Sequence, residues 1–347
     1  MLPKGLVSAV TDWFRKNGRV LPWRVGRDPY RIWISEIMLQ QTRIEAVIPY
    51  YHRFLKRIPS VAELAACPEE VLLKLWEGLG YYSRARNLKK AAEKICADHG
   101  GAMPRTAAEL EKLPGIGAYT AGAIASIAFG EPAPAVDGNV LRVLTRVMGD
   151  ESDIALPATK KRITELLRAV YPTGEEAALL TEGIMEIGER VCIPGGVPLC
   201  TVCPLKELCR AGKEGTWSSI PVKSAKKPRR MVEMTVLVLS CGDRFALRQR
   251  PETGLLSRMW EFYHVPGHLD KAAVLAYLEE EGFAPVSVED LGSARHIFTH
   301  LEWEMKGYFC KVNCPSPQVE WKTADEIEEE CALPGAFRYF KEQLKRE

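Results

Sequence analysis

The chain has 347 residues, of which 46% are hydrophobic, and a formal net charge of only +2 at pH 7. This length is enough for two domains with ordinary apolar cores. No opening segment has the apolar region of a signal peptide and no stretch is apolar enough for a membrane span, so we expect a soluble, cytoplasmic protein with no membrane partner. The charge is uneven, because residues 231–347 carry 13 Lys and Arg against 20 Asp and Glu, whereas residues 1–230 carry 34 against 25. The basic part is therefore the one expected to meet a polyanion.

An apolar segment near the N-terminus contains a single acidic residue. Residues 30–41 are apolar almost all around a helix, which predicts a buried helix. Glu36 lies in it, with Ile32, Trp33 and Leu39 at same-face positions. Because a buried carboxyl group loses hydration, its pKa should rise, and it could then act as a general acid. A Glu that is paired with a buried Arg, or that caps a neighbouring element, would fit the pattern equally well.

Short helical patterns continue along residues 1–215 without an internal repeat, which predicts a mostly α-helical part of the chain. The further predicted helices are 6–15, 44–55, 69–76, 83–97, 158–170 and 175–190. Between two of them, residues 78–82 place Tyr81 and Tyr82 on a glycine-flanked loop. Such a pair suits stacking on nucleic-acid bases, although tyrosine pairs are more often packed in a hydrophobic core.

Residues 113–142 predict a hairpin between helices, followed by a further helix. Gly115 and Gly117 allow a tight turn, because a residue without a Cβ atom adopts positive φ at little cost. The turn leads into an apolar helix at 118–129, whose free N–H groups would suit a phosphate. Asp137 lies where an N-cap would begin the next helix. An ordinary helical packing unit with a capping Asp is the alternative.

Four of the ten cysteines cluster in the order Cys-x7-Cys-x2-Cys-x5-Cys: Cys192, Cys200, Cys203 and Cys209. Four thiolates this close in sequence predict a metal site rather than disulfides in a cytosolic chain. Zinc sites of four cysteines usually contain two close pairs, and here only Cys200 and Cys203 form one. The spacing therefore favours a four-iron, four-sulfur cluster, with zinc as the alternative.

The pattern changes after residue 215. Residues 216–230 contain prolines among lysines and arginines, which predicts a linker. Strands are then predicted at 231–239, 244–248, 261–265, 295–298 and 302–312, and helices at 271–281 and 335–344. This order predicts a separate α+β domain over residues 231–347.

Together these motifs resemble the helix-hairpin-helix DNA glycosylases, and among them the A/G-specific adenine DNA glycosylases. The stretches that carry the resemblance are PWR (22–24), SEIMLQQT (35–42), GLGYYSRA (78–85), LPGIGAYTAGA (113–123), VDGNV (136–140), the four cysteines and FTH (298–300). The resemblance implies a mostly α-helical glycosylase domain over 1–215 with a cysteine loop at 192–209. It also implies one [4Fe-4S] cluster and a Nudix-like α+β domain that recognises 8-oxoguanine over 231–347.

The implied activity is base excision repair. Adenine mispaired with 8-oxoguanine or guanine in double-stranded DNA would be flipped out and its N-glycosidic bond hydrolysed, which leaves an abasic site. Glu36 would protonate the adenine ring and later handle the water, while Asp137 would stabilise the oxocarbenium-like sugar or bond to it transiently. We expect the protein to act as a monomer.

The resemblance also implies roles for further residues. Tyr119 would pack against the sugar site, Asn139 would support the carboxylates, and Arg24 and Glu182 would lie near the adenine. The remaining implied DNA contacts are Gln41 and Tyr81 in the base stack, Gly115 and Gly117 in the hairpin, and Phe298, Thr299 and His300 on the 8-oxoguanine side. The implied cluster ligands are Cys192, Cys200, Cys203 and Cys209.

Three departures bear on these expectations. Related enzymes that also cut the strand use a hairpin Lys to form a Schiff base, and residues 113–129 contain no Lys, which predicts base removal without an efficient lyase step. The gap after Cys192 is seven residues where the family usually has six, and Thr299 stands where a Ser is usual. Residues 274–281 lack the Arg and the first Glu of a pyrophosphohydrolase motif, so we expect recognition without Mg²⁺-dependent hydrolysis.

Two other functions fit parts of the pattern. An endonuclease III-like glycosylase with lyase activity would share the hairpin and the cysteines, but it would need the missing Lys and would not need the tail domain. A non-catalytic iron–sulfur DNA-binding protein would also fit, and a Glu36 paired with an Arg would favour it. For residues 298–300, the alternative is a strand-end Phe followed by an ordinary surface His.

Overall fold

A computed structural model describes residues 1–225, 228–313, 316 and 319–345. The chain folds as two compact units, one formed by Met1–Ala66 with Asn87–Ala225 and the other by Cys67–Arg86 with Lys226–Glu347. Residues 226 and 227 of the predicted linker lie outside the described residues, as do six residues of the predicted tail domain (314, 315, 317, 318, 346 and 347). Within the described ranges, none of the helices has the length and apolar character that crossing a bilayer requires.

Helices dominate the first 215 residues, as predicted. They are α1 (Leu6–Asn17), α2 (Pro29–Leu39), α3 (Ile44–Arg57), α4 (Val61–Ala66), α5 (Glu69–Leu75), α6 (Ser83–His99), α7 (Ala107–Leu110), α8 (Ala118–Phe129), α9 (Gly138–Met148), α10 (Pro157–Arg168), α11 (Glu175–Arg190) and α12 (Arg210–Glu214). Short 3₁₀ turns lie at Pro22–Arg24, Cys200–Val202, Lys206–Leu208 and Thr216–Ser218.

The limits of α2 follow from local chemistry. Asp28 caps its N-terminus by accepting a hydrogen bond of 2.8 Å from the N–H of Arg31, and Pro29 occupies the first turn, where its missing N–H costs nothing. The helix ends two residues earlier than predicted, because Gln40 leaves the helical conformation with a ψ of 110° and Gln41 follows with a left-handed φ of 61°. Gln41 therefore lies beyond the end of the helix, where it is exposed.

The hairpin before α8 needs only one of its two glycines for conformation. Gly115 has a φ of 75°, and a Cβ atom there would lie 2.5 Å from Cβ of Asn87. Gly117 has a φ of −95° and precedes α8 in an extended conformation that any residue can adopt, so the expected positive φ at Gly117 is wrong. Open space surrounds the Gly117 Cβ position, so none of the described residues requires a glycine there.

Helix α11 is largely buried in the helical unit. It packs against α1, α8 and α9, and its buried side chains share a core with those of α9. Gly183 and Gly188 allow close approach, because a Cβ atom would lie 2.6 Å from Cγ1 of Val10 and 2.6 Å from Cβ of Asn139, respectively. This packing fixes the acidic residues of α11 next to the start of α9.

The second unit is built on a six-stranded mixed sheet. Its strands are β1 (Arg230–Cys241), β2 (Arg244–Gln249), β3 (Trp260–Pro266), β4 (Pro285–Ile297), β5 (Leu301–Val312) and β6 (Glu320–Thr323), in the spatial order β4-β5-β1-β3-β2-β6. Strands β1 and β5 are parallel, with Val236 opposite Gly307, and the other pairs are antiparallel. The predicted α+β class is confirmed.

Both faces of this sheet are covered. Val236 and Val238 of β1 face one core, whereas Leu237 and Leu239 face the other, as the alternation of a strand requires. Helix α13 (Lys271–Glu280) covers the second face. The first is covered by α14 (Ala324–Glu330) and by residues 335–345, which form a short helix, α15 (Arg338–Lys341), between two 3₁₀ turns instead of the single predicted helix.

Strand β4 is much longer than the predicted strand at 295–298. It is an edge strand whose side chains are mostly exposed, so its sequence lacks the apolar alternation that identifies a strand. Phe298 closes the turn to β5 by donating its N–H to the carbonyl of Leu301 at 2.9 Å. Thr299 and His300 therefore form the tip of the β4–β5 hairpin.

Residues 67–86 group with the second unit, whereas the sequence-based division placed them in the helical domain. Lys74 donates to the carbonyl of Cys331 at 3.1 Å and forms an ion pair of 2.7 Å with Glu77. Glu77 also binds Lys341 at 3.3 Å and accepts from the N–H of Leu333. Polar contacts of this kind have no periodicity along the chain, so the sequence does not show them.

Candidate active site

A cavity of about 380 Å³ in the helical unit contains both predicted catalytic carboxylates. Glu36 reaches it from α2 and Asp137 from the start of α9. The other predicted site residues that line it are Arg24, Gln41, Tyr119, Asn139 and Glu182. Seven residues from five separate stretches of sequence are thus brought to one place.

Glu36 is buried in an apolar helix, as predicted, with 7% of its surface exposed. Burial, the largest effect, raises the pKa of Glu36 to about 7. The Tyr119 hydroxyl and Arg24 act to lower that pKa, whereas the negative charges of Asp137 and Glu182 act to raise it. The predicted rise is confirmed, and a group with this pKa can both give and take a proton near neutral pH.

Asp137 has a different environment from Glu36. Its Oδ1 accepts a hydrogen bond of 2.8 Å from the N–H of Val140, so the predicted N-cap is confirmed. Its Oδ2 accepts one of 2.9 Å from Nδ2 of Asn139. Burial raises the pKa of Asp137 above the usual value, but these hydrogen bonds oppose the rise because they favour the charged form.

Asn139 is itself held by a residue that the sequence did not identify. Arg142 donates from Nη2 to Oδ1 of Asn139 at 2.7 Å, which fixes the amide orientation that donates to Asp137. The same guanidinium donates to the carbonyl oxygens of Gly188 and Cys192 at 2.6 and 2.8 Å. Arg142 therefore links the start of α9 to the end of α11 and to the cysteine loop.

Arg24 and Glu182 form an ion pair at the cavity. Nε of Arg24 lies 2.9 Å from Oε1 of Glu182, and its Nη2 lies 3.0 Å from Oε2 of Glu186. Burial raises the pKa of Glu182, and the charge of Arg24 opposes that rise. Arg24 pairs with these two acids, and among the residues that the structure describes no ion pair joins Glu36 to an Arg, which was one alternative for Glu36.

Tyr119 lines the cavity from the first turn of α8. Its hydroxyl is 3.7 Å from Sδ of Met185 and interacts with Glu36. Burial, followed by the negative charges of Glu36 and Asp137, raises the pKa of Tyr119 well above its usual value, so the phenol stays protonated and can act as a donor. Gly115 and Gly117 are not among the residues that line this cavity.

Four predicted DNA-contacting residues line a separate cavity of about 480 Å³ within the second unit. These residues are Tyr81, Phe298, Thr299 and His300. The hydroxyl groups of Tyr81 and Thr299 are 3.1 Å apart and hydrogen-bonded. The Phe298 ring contacts those of His296 and Trp303 edge to face, at centroid distances of 4.6 and 4.8 Å.

The four clustered cysteines line a third cavity, of about 200 Å³, in the helical unit. Arg146 donates to Sγ of Cys192 at 3.2 Å, and Sγ of Cys209 accepts the N–H of Gly212 at 3.4 Å. Across the part of the chain that the structure describes, no group of three or more His, Cys, Asp or Glu is arranged to hold a single metal ion. Four sulfur donors around one cavity with basic neighbours suit a thiolate-bound group wider than one ion.

Sequence reasoning missed Glu186, which lines the catalytic cavity together with Glu182 and Glu189. Glu186 is only 1% exposed, and its carboxylate forms ion pairs with Arg19 and Arg24. The signal that was available is the spacing, because Glu182 and Glu186 are four residues apart and share one face of a helix. The spacing alone does not show that the arginines of residues 19 and 24 converge on that face.

Two family models match the chain. One is described as "HhH-GPD superfamily base excision DNA repair protein" and matches residues 34–172, and a NUDIX domain model matches residues 234–343. The chain is 32% identical to the adenine DNA glycosylase of Homo sapiens, an alignment that covers 97% of this chain and 74% of that protein. It is 34% identical to the adenine DNA glycosylase of Buchnera aphidicola (subsp. Acyrthosiphon pisum), with coverages of 84% and 82%.

Solved structures match the helical part. A thermostable thymine-DNA glycosylase superposes with a TM-score of 0.56 at 31% identity and covers 61% of this chain and 96% of its own. A trapped covalent intermediate of endonuclease III with DNA, an estranged-adenine complex, gives a TM-score of 0.52 at 28% identity, with coverages of 62% and 100%. The predicted helix-hairpin-helix fold is confirmed by these similarities.

Proposed function

The chain belongs to the adenine DNA glycosylase family, and we propose that it excises adenine paired with 8-oxoguanine or guanine in double-stranded DNA. It is a base excision repair glycosylase of the helix-hairpin-helix superfamily and hydrolyses N-glycosidic bonds. The observation that carries the proposal is the shared cavity of Glu36 and Asp137, because glycosidic cleavage needs two carboxyl groups in different environments.

Each carboxyl group has its own step in the proposed reaction. The neutral form of Glu36 gives its proton to a ring nitrogen of the flipped adenine, and the bonding electrons of the C1′–N9 bond leave with the base. Asp137, as a carboxylate, stabilises the positive charge that develops on the sugar or bonds to it transiently. A water molecule then adds at C1′ and gives a proton to the ionised Glu36, which restores the acid.

The proposal is for base removal without strand cleavage. A lyase step needs an amine that forms a Schiff base with C1′, and the segment 113–129 contains no Lys. The hydroxyl of Tyr119 lies at the cavity instead, and a protonated phenol can donate a hydrogen bond but cannot form an imine. The product is therefore an intact strand with an abasic site.

Recognition of the opposite base is assigned to the second unit. Tyr81 offers a ring that is 44% exposed, which suits stacking in a duplex, and Thr299 offers a hydroxyl at the tip of the β4–β5 hairpin. A hydroxyl can donate to N7 of guanine or accept from the N7–H that distinguishes 8-oxoguanine. The hydrogen bond between Tyr81 and Thr299 supports the proposal that the two residues recognise the opposite base together.

The four thiolates of Cys192, Cys200, Cys203 and Cys209 are proposed to bind one [4Fe-4S] cluster. Such a cluster would supply a structural link for the loop 192–209 and takes no part in the glycosidic steps. Arg142 and Arg146 support this assignment, because they place positive charge next to Cys192 from α9. Iron analysis together with the broad visible absorbance of thiolate–iron charge transfer would separate this cluster from zinc.

Excision assays on matched duplexes test the proposal. Adenine would be placed opposite 8-oxoguanine, guanine or thymine, and free base and strand breaks would be measured separately. We expect fast release opposite 8-oxoguanine, slower release opposite guanine and little opposite thymine, with no borohydride-trapped enzyme. Release of a damaged pyrimidine with high-yield trapping would replace the proposal with an endonuclease III-like lyase, and DNA binding without any base release would leave a non-catalytic protein.

A further inference from the structure

Beside the catalytic cavity, three acids of α11 and two arginines of the N-terminal segment form a continuous set of ion pairs. We call it the α11 ion-pair network, and its members in spatial order are Glu182, Arg24, Glu186, Arg19 and Glu189. Successive pairs are 2.9, 3.0, 2.6 and 2.5 Å apart. Acids and arginines alternate along this network.

Glu186 is the centre of the network. Its Oε1 accepts from Nε of Arg19 at 2.6 Å and from Nη1 of Arg190 at 3.2 Å, and its Oε2 accepts from Nη2 of both Arg24 and Arg19 at 3.0 and 3.1 Å. Burial acts to raise the pKa of Glu186, but the hydrogen bonds from Arg19 and the charge of Arg24 outweigh it and hold that pKa below the usual value. Burial and these contacts make Glu186 a buried carboxylate whose charged form is stabilised by arginines.

The network holds all three guanidinium nitrogens of Arg24. Its Nε binds Glu182, its Nη1 donates to the carbonyl of Arg19 at 3.0 Å, and its Nη2 binds Glu186. The guanidinium carbon also lies 4.9 Å from the centre of the Phe14 ring. Each nitrogen of the fork has a fixed acceptor, so the position of the Arg24 charge at the cavity depends on the carboxylate at residue 186.

We infer that Glu186, balanced by Arg19, is a positioning residue of the active site that fixes Arg24 and sets how much of its positive charge reaches Glu36. The inference rests on the proposed function for its meaning in catalysis. Glu186 does not donate a proton to substrate in this scheme. It acts through Arg24, which touches Glu182 and lines the same cavity as Glu36.

The groups that face Glu36 give the direction of the effect. They are Arg24 from the 3₁₀ turn, Tyr119 from α8, Asp137 from the start of α9 and Glu182 from α11. Arg24 is the one cation among them, and it acts to lower the pKa of Glu36. Whatever neutralises Arg24 therefore keeps more of Glu36 in the protonated, active form at neutral pH.

Two substitutions on opposite sides of the network should have opposite effects. Glu186→Gln keeps the shape but removes the charge that balances Arg24, so the alkaline fall of the excision rate should move to lower pH. Arg19→Gln frees more of the Glu186 charge to balance Arg24, so the fall should move to higher pH. A shift of about one pH unit corresponds to about a tenfold change in rate on the alkaline side.

Conservative and distant variants serve as controls. Glu186→Asp retains the charge, so it should restore the pH dependence of the unmodified protein even where its rate stays lower. Glu176→Gln changes the same residue type on the same helix, where the partner is the exposed Arg15, and it should leave both rate and pH dependence unchanged. A purely structural role for Glu186 would lower the rate equally at every pH.

The closing experiment titrates Glu36 itself, so that it does not depend on the substrate. The carboxyl stretch of protonated Glu36, identified by its loss in Glu36→Gln, is followed by infrared spectroscopy in the full, DNA-free chain, alongside single-turnover excision. Opposite shifts for Glu186→Gln and Arg19→Gln in the infrared titration support the inference, even if adenine excision itself fails. Unchanged midpoints, or shifts in the same direction, overturn it, and if Glu186→Gln does not fold, the sign for Arg19→Gln decides.

Discussion

The amide nitrogen of Asn139 donates a hydrogen bond of 2.9 Å to the carboxylate of Asp137. This bond favours the charged form of Asp137, and it distinguishes Asp137 from Glu36, the other carboxyl group of the cavity. With the N–H of Val140 on its other oxygen, Asp137 is stabilised as a carboxylate. Glu36 is dominated by burial, which raises its pKa to about 7. One acid is therefore suited to hold a negative charge and the other to hold a proton, and the first three predictions follow from this difference.

The substitution Glu36→Gln should abolish excision and stabilise the protein. The folded state disfavours the charged form of Glu36, whose pKa rises from 4.5 to about 7. The penalty is absent below the unfolded pKa, grows as the pH rises above it and is complete above about pH 7, where it amounts to about 3 kcal/mol. Denaturant unfolding at several pH values checks this, and equal free energies for both proteins at alkaline pH would contradict it.

Excision by the unmodified protein should fall as the pH rises through about 7, because the active form of Glu36 is the protonated one. On the alkaline side the single-turnover rate should drop about tenfold per pH unit. DNA affinity measured in parallel should change much less over the same range. A rate that stays constant into the alkaline range would show that Glu36 is not the acid.

The substitution Asp137→Asn should lower the single-turnover rate by at least about 10³-fold, because it removes the charge that stabilises the sugar cation. Stability should change little, since an Asn side chain can still cap α9. Asp137→Ala is the matched variant, and it should in addition cost about 1 kcal/mol of unfolding free energy through loss of the cap. Full activity of Asp137→Asn would refute the assignment of its role.

The two hairpin glycines should respond differently to alanine. Gly115→Ala places a side chain at a φ of 75° and 2.5 Å from Cβ of Asn87, so it should cost about 1–3 kcal/mol of unfolding free energy. Gly117→Ala, at a φ of −95° with nothing within 4 Å, should cost less than about 0.5 kcal/mol. Thermal unfolding of both variants tests this difference, and equal losses would contradict the geometry of the turn.

In the second unit, Glu77→Gln should loosen the segment that carries Tyr81. Glu77 binds Lys74 at 2.7 Å and Lys341 at 3.3 Å with only 21% of its side chain exposed, so its loss should cost about 1 kcal/mol. The preference for 8-oxoguanine over guanine opposite adenine should decrease as well. Glu328→Gln, which removes a 68% exposed partner of Lys341, is the control and should change neither quantity.

The sequence by itself determined the local structure and the chemical types at the site. The apolar surroundings of Glu36 predicted its burial and raised pKa, and the helix restart at residue 137 predicted the N-cap, because both depend on near neighbours in the chain. The agreement of several motifs in one order identified the family. The edge strand β4 escaped prediction because its exposed side chains show no apolar alternation.

Only the tertiary structure decided which residues share a cavity and which polar groups pair. Glu186 and Arg19 are separated by more than 160 residues, and their contact depends on the packing of α1 against α11. The grouping of residues 67–86 with the second unit likewise depends on contacts distant in sequence, such as those of Lys74 with Cys331 and of Glu77 with Lys341. Hydrophobic periodicity indicates which face of an element is buried. The partners of a buried charge depend on how distant elements pack together, and no local sequence pattern indicates that packing.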